Sequence, residues 1–215
     1  MGSIQLYLFR LGNVFFKQAY FLYQPLYFIY KYWSDRETIS FLKKNLKPGM
    51  TVLDVGANIG FYSQLFAKLV GSSGQVIAFE PDELNLKHFR DVVANFSNVN
   101  IVSAAVGEHQ GLIKLYKSNK LNVDHQTYDI GENRTYIEVP VVTVDDLLKD
   151  LEKVDLVKID VQGYDFHAVR GMTQIIKRSQ PMLILGELWP YGLKQAGTSS
   201  REYLNHLENA GFTVR

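Results

Sequence analysis

Five short apolar runs constrain this chain more than any other feature: Thr51–Gly56, Gln75–Glu80, Val99–Val106, Asp155–Val161 and Met182–Trp189. Runs that are apolar throughout, rather than at every second residue, suit strands buried on both faces. Helical patterns interleave with them at Phe61–Val70, Glu83–Phe96 and Phe166–Arg178, and after the capping box Ser199-Ser200-Arg201-Glu202. The alternation predicts an α/β fold, a doubly wound, mostly parallel sheet with helices on both faces. Such sheets hold ligands at the carboxyl ends of their strands, near the point where strand order reverses. Leu112–Tyr116 and Ile137–Val142 alternate instead like edge strands. Thr143-Val144-Asp145-Asp146 caps a further helix to about Glu152. The sequence ends at Phe212–Arg215 inside what reads as a sixth strand, so truncated C-terminal strands are expected.

Composition narrows the chemistry. There is no cysteine, which excludes disulfide scaffolds, zinc ribbons, iron–sulfur clusters and thiol nucleophiles. The formal net charge of +1 gives no ground for a nucleic-acid partner, and none is expected. That near-neutrality is an average. Residues 1–50 carry seven Lys/Arg against two acids, and the remainder 16 against 20.

Two domains are therefore drawn: an aromatic, basic helical extension over 1–47 and a ligand-binding domain over 48–215. From Ile4 to Gln24 the polar residues Arg10, Asn13, Lys17 and Gln24 fall on one stripe of a helix, which Pro25 interrupts. Ser34-Asp35-Arg36-Glu37 reads as a capping box opening the next helix. The longest uncharged run in the extension, Gln18–Tyr30, is 13 residues, too short to cross a bilayer. Residues 4–33 then either pack on the body or on a second copy, as in a homodimer, or make peripheral contact with a membrane. A cytoplasmic location, at the inner membrane face in the second case, is expected.

The most informative segment is Val52-Leu53-Asp54-Val55-Gly56-Ala57-Asn58-Ile59-Gly60. A strand ends at Asp54, turns through Gly56 and Gly60, and opens a helix; glycines there let backbone approach a ligand closely. Glu80 ends the next strand, where a carboxylate can accept both hydroxyls of a ribose. Asn58 stands where a dinucleotide fingerprint needs its second glycine, so a ligand without a pyrophosphate is favoured. Strand-end carboxylates suit a cationic ligand, and S-adenosylmethionine fits better than a nicotinamide dinucleotide.

"VLDVGANIGFYS", "VIAFEPD", "AAVGE", "VPVVTVDDL" and "LVKIDVQGYD" stand in the order and spacing of the FkbM family of S-adenosylmethionine-dependent methyltransferases, which the chain resembles from about Pro48 to Trp189. The resemblance implies a class I methyltransferase (Rossmann-like) fold and, usually, methylation of a hydroxyl oxygen on a sugar, glycolipid or secondary metabolite. It implies that Asp54, Gly56, Asn58 and Gly60 line the methionine part of the cofactor, that Glu80 holds the ribose, and that Ser103, Ala104 and Ala105 lie near the adenine. Asp160, ending the fourth strand, would face the methyl group. Gln162 departs from the family's usual glutamate, with Asp165 rather than a glutamate beyond.

An alcohol becomes a good nucleophile only as its proton leaves, so a positioned base is expected. Asp160 is the first candidate; its alternative role is to hold the loop Gln162–Tyr164. His125 is the second, in a polar segment with Asn122 and Asp124 that suits a small-molecule or glycan acceptor. Tyr164 and Glu187 are further acceptor candidates. Asp160 with Glu187 could hold a divalent ion, but no metal site is expected. The competing reading is a non-catalytic binding or assembly protein with a degenerate methyltransferase site.

Overall fold

The computed structural model describes residue 16 and residues 19–117, 126–128 and 134–214. Its centre is a five-stranded, wholly parallel sheet of order β3-β2-β1-β7-β8, formed by β1 (Thr51–Val55), β2 (Gln75–Phe79), β3 (Val99–Val102), β7 (Leu156–Ile159) and β8 (Leu183–Gly186). The five apolar runs are these five strands. Strand order reverses between β1 and β7, which pair in register from Val52↔Leu156 to Val55↔Ile159. A smaller sheet of order β4-β6-β5 joins β4 (Ala105–Val106), β5 (Gly111–Tyr116) and β6 (Tyr136–Val142). The expected run Val99–Val106 is thus two strands in two sheets.

Strand parity decides what each face of the large sheet meets. Leu53, Val55, Val157 and Ile159 pack with Phe166, Met172 and Ile175 on one side. Val52 and Leu156 pack on the other with Phe61, Leu65 and Phe66 of α3 (Phe61–Val70) and with Ile39 and Leu42 of α2 (Arg36–Asn45). Asp54 and Lys158 share the parity of Val52 and Leu156. They are register partners, so a carboxylate and an ammonium lie side by side within a buried sheet. The helical run Phe166–Arg178 is broken at Gly171, where a Cβ would come within 1.9 Å of the Gly107 carbonyl oxygen.

The extension departs from expectation in two ways. Helix α1 runs unbroken from Tyr20 to Ser34 with Pro25 inside it, so the proline does not end it. The capping box at 34–37 does not form. Asp35 makes no side-chain cap, because its carboxylate is taken by Ser34 (2.6 Å), by the Tyr62 hydroxyl (2.6 Å) and by an ion pair with Lys31. Among the described residues no helix is long and apolar enough to cross a membrane. Phe28 and Tyr32 of α1 meet the Phe61 ring edge-on, each at 5.1 Å, and Tyr20 stacks on His88. This face of α1 is packed on the body. The Ser199 cap forms as expected, accepting from the Glu202 N–H, while residues 212–214 follow the last helix without strand pairing.

Candidate functional site

A cleft of about 350 Å³ opens at the carboxyl ends of β1, β2 and β7, beside the reversal point. That volume is in the range of small-molecule sites, roughly 300–1,000 Å³. Val55, Gly56 and Asn58 supply one part of its lining, and Phe79, Glu80, Pro81 and Asn85 another. Ala104 and Ala105 close that side, and Asp160, Gln162, Tyr164 and Glu187 form the opposite one.

Glu80 sits at the base, 5% exposed. Its Oε2 accepts the Asn58 backbone N–H at 2.8 Å, and its Oε1 accepts the Asp82 N–H at 3.0 Å and the Asn85 amide at 3.2 Å. Burial pushes its carboxyl up to about 7, against these three donors, which pull the other way. Asn58 reaches Glu80 because it adopts a left-handed backbone, φ 54°, with its side chain accepting the following N–H. Gly56, at φ 80°, lies so close to the end of β7 that a Cβ would come within 2.1 Å of the Asp160 carbonyl oxygen. That glycine brings the two strand ends together.

Three expected cofactor residues stand elsewhere. Asp54 is fully buried beneath the cleft, accepting the Ser63 hydroxyl at 2.6 Å and facing Lys158 at 3.5 Å. Its strand parity turns it into the sheet–helix layer. Gly60 packs on Phe89, where a Cβ would approach the ring to 2.3 Å, so it serves helix packing. Ser103 faces outward and donates to Glu83. His125, Asn122 and Asp124 lie outside the described residues.

Asp160 is half exposed in the cleft, with 45% of its side chain accessible. The Lys158 ammonium lies 3.5 Å from both Asp160 and Asp54. Burial alone would lower the Lys158 pKa, but the two carboxylates overcome it and raise it, so Lys158 stays charged. Its ammonium also lies over the Tyr62 ring at 5.0 Å. Gln162, at φ 53°, brings its amide to 3.4 Å from Asp160. The loop Gln162–Tyr164 is thus held by Asp160 at Gln162 and by Asp165, which accepts the Gly163 N–H at 3.0 Å. Tyr164 lines the cleft with its ring stacked on His167.

The sequence reading missed two contributions. Lys158 had a signal, a lone cation in a buried strand. Tyr27, Tyr30 and Lys31 of α1 also line the cleft and had none.

Residues 54–214 match the Methyltransferase FkbM domain. The chain belongs to the FkbM family of S-adenosylmethionine-dependent methyltransferases. The cleft suits that cofactor: Glu80, Asp160 and Glu187 line it, while Lys31, the one cation among its described lining residues, is paired with Asp35. A sulfonium and an amine meet favourable charge there. Among the described residues no group of three or more His, Asp or Glu is placed to hold a metal.

This FkbM domain is also similar to protein-L-isoaspartate O-methyltransferase 1 of Arabidopsis thaliana, 28% identical over 127 residues, covering 54% of this chain and 55% of that protein. It is similar to ribosomal RNA large subunit methyltransferase E of Buchnera aphidicola, 34% identical over 83 residues, covering 32% of this chain and 40% of that one. The chain thus spans about half, or less, of the length of these curated relatives. Precorrin-6y C5,15-methyltransferase of Geobacter metallireducens shares the fold, with a TM-score of 0.51 at 17% identity over 83% of this chain and 72% of that one. The exclusion of nucleic acid as a partner is corrected by the ribosomal RNA methyltransferase relative. Net charge was no ground for that exclusion, since it averages a basic extension with an acidic body.

Proposed function

We propose that this chain methylates a hydroxyl oxygen of a sugar-bearing acceptor, with Asp160 receiving the proton. The observation that carries the reading is the Asp160 carboxylate, half exposed at the reversal point of the sheet with a buried ammonium 3.5 Å behind it. When bound, S-adenosylmethionine supplies an electrophilic methyl group. The chain's own residues then have two tasks. The first is positioning, bringing the acceptor oxygen within about 3–3.5 Å of the reacting carbon. The second is taking the hydroxyl proton as charge develops, which contributes about 10²–10⁴-fold. Lys158 and Gln162 aim Asp160 from below and from the side, as a positioned acceptor of that proton requires.

Gln162 does not mark a degenerate site in this reading. A carboxylate there would set like charge beside Asp160, whereas the amide can donate to it. A ribose hydroxyl of RNA is the second acceptor, favoured by the similarity to ribosomal RNA large subunit methyltransferase E. Labelled methyl transfer to separate glycan, glycolipid and RNA fractions distinguishes the two. Label in glycan or glycolipid supports the first reading, and label confined to RNA supports the second. Loss of labelling in Asp160→Asn with cofactor affinity retained supports Asp160 in either. Unchanged labelling removes it.

A further inference from the structure

The matched domain begins at residue 54, yet part of the cleft wall comes from α1, well before it. Tyr27, Tyr30 and Lys31 have the i, i+3, i+4 spacing of one helical stripe, and all three line the cleft. Their side of the cleft is the Asp160 side. Asp160 shares the strand parity of Lys158, which faces the layer where α2 and α3 lie, and the partly buried Tyr27 packs into that same layer and lines the cleft with Asp160. Tyr30 is 50% exposed while lining the cleft, so half of its surface is left uncovered by the protein. The stripe is fixed in place by the Phe28 and Tyr32 contacts with Phe61 and by the Tyr62 hydroxyl on Asp35. Lys31 adds little free charge because Asp35 holds its ammonium.

We propose that α1 is the acceptor-binding wall of this site, with the Tyr30 ring as the platform for the apolar face of a neutral sugar ring and the Asp160 and Glu187 carboxylates on the same side of the cleft accepting its hydroxyls. The inference rests on the methyltransferase reading of the cleft. A flat, half-exposed aromatic ring suits a pyranose, which presents C–H bonds on its faces and hydroxyls at its rim. With Lys31 the one cation among the described lining residues and paired with Asp35, the carboxylates there suit hydroxyl donors better than phosphate.

The test uses the full chain saturated with S-adenosylhomocysteine, and saturation-transfer NMR with methyl β-D-glucopyranoside and with uridine 5′-monophosphate as probes. Tyr30→Ala is expected to weaken glucoside binding about fivefold or more, while Tyr30→Phe, which keeps the ring, retains it. The calorimetric affinity for S-adenosylhomocysteine should stay within about twofold in both variants, which also shows that they fold. Tyr30→Ala that weakens S-adenosylhomocysteine and spares the glucoside overturns the proposal, making α1 a cover for the cofactor. Signal from uridine 5′-monophosphate alone, or from neither probe, overturns the neutral-sugar assignment. Failure of the unaltered protein to bind S-adenosylhomocysteine overturns the underlying methyltransferase reading instead.

Discussion

The two sides of the cleft are built from chain segments of very different reach. On the Glu80 side, Gly56, Asn58 and Glu80 come from one strand–turn–helix–strand unit, and the Asn58–Glu80 hydrogen bond spans 22 positions. On the Asp160 side, a carboxylate at 160 meets a helix at 27–31, and its supporting ammonium pairs with a carboxylate at 54. The first side is a local device that can be read from a short motif. The second exists only once the sheet has assembled and the extension has docked. In the proposed assignment of cofactor to the first side and acceptor to the second, the two recognition tasks depend on different parts of the folding problem, and perturbing one should spare the other.

The largest effect is expected at Lys158, which ties Asp160 in the cleft to the buried Asp54 beneath it. Lys158→Met would leave Asp54 buried without its cation, and is expected to cost about 3–5 kcal/mol of stability, read by chemical denaturation. The paired change Asp54→Asn with Lys158→Met should recover part of that loss. No recovery would show that the ion pair is not what Lys158 contributes. Asp160→Asn is expected to cut methyl transfer by about 10²–10⁴-fold while the calorimetric affinity for S-adenosylhomocysteine stays put. An equal loss in both measurements would merge the two sides into one.

The Glu80 side gives a pH signature of its own. The carboxyl, raised from its ordinary 4.5 to about 7, must ionise to accept two ribose hydroxyls, so cofactor affinity should rise with pH through that value. Between pH 8 and pH 6 the affinity should fall about tenfold, and Glu80→Gln should flatten the profile. Stability runs the other way. The folded protein keeps a proton that the unfolded chain releases near 4.5, so Glu80's contribution falls as pH rises from there through about 7. The smallest effect is expected at the docking contact of the extension. Tyr62→Phe removes the hydroxyl that donates to Asp35 at 2.6 Å, and should cost about 1 kcal/mol. Limited proteolysis should then cut α1 faster while the central sheet stays protected.

What could be read from the sequence follows the same division. All five strands of the large sheet, the turn at Gly56 and the carboxylate at Glu80 were legible, because apolar runs and a strand-end motif are local signals; that β3 and β8 are partly exposed edges rather than buried strands was not. Asp54 and Gly60 belong to the same motif but do not line the cleft. A motif marks which residues recur at a turn, whereas strand parity and a neighbouring ring decide whether they face ligand or core. Asp54 faces Lys158 and Ser63, and Gly60 faces Phe89. The capping box at Ser34–Glu37 failed for a related reason: the Ser34 hydroxyl donates to the Asp35 carboxylate, which Tyr62 and Lys31 also hold. The cleft-lining position of Tyr27, Tyr30 and Lys31 had no sequence signal, because an aromatic stripe on a helix looks the same whether it faces a core, a partner or a cleft.

The central claim is that this cleft takes S-adenosylmethionine with its ribose on Glu80. Calorimetric titration of the full chain and of Glu80→Ala with S-adenosylhomocysteine tests it most directly. Saturable binding to the unaltered chain, weakened about tenfold or more by the substitution, is the predicted result, as expected for loss of charge-assisted hydrogen bonds. Absence of binding, or an affinity indifferent to residue 80, would contradict it.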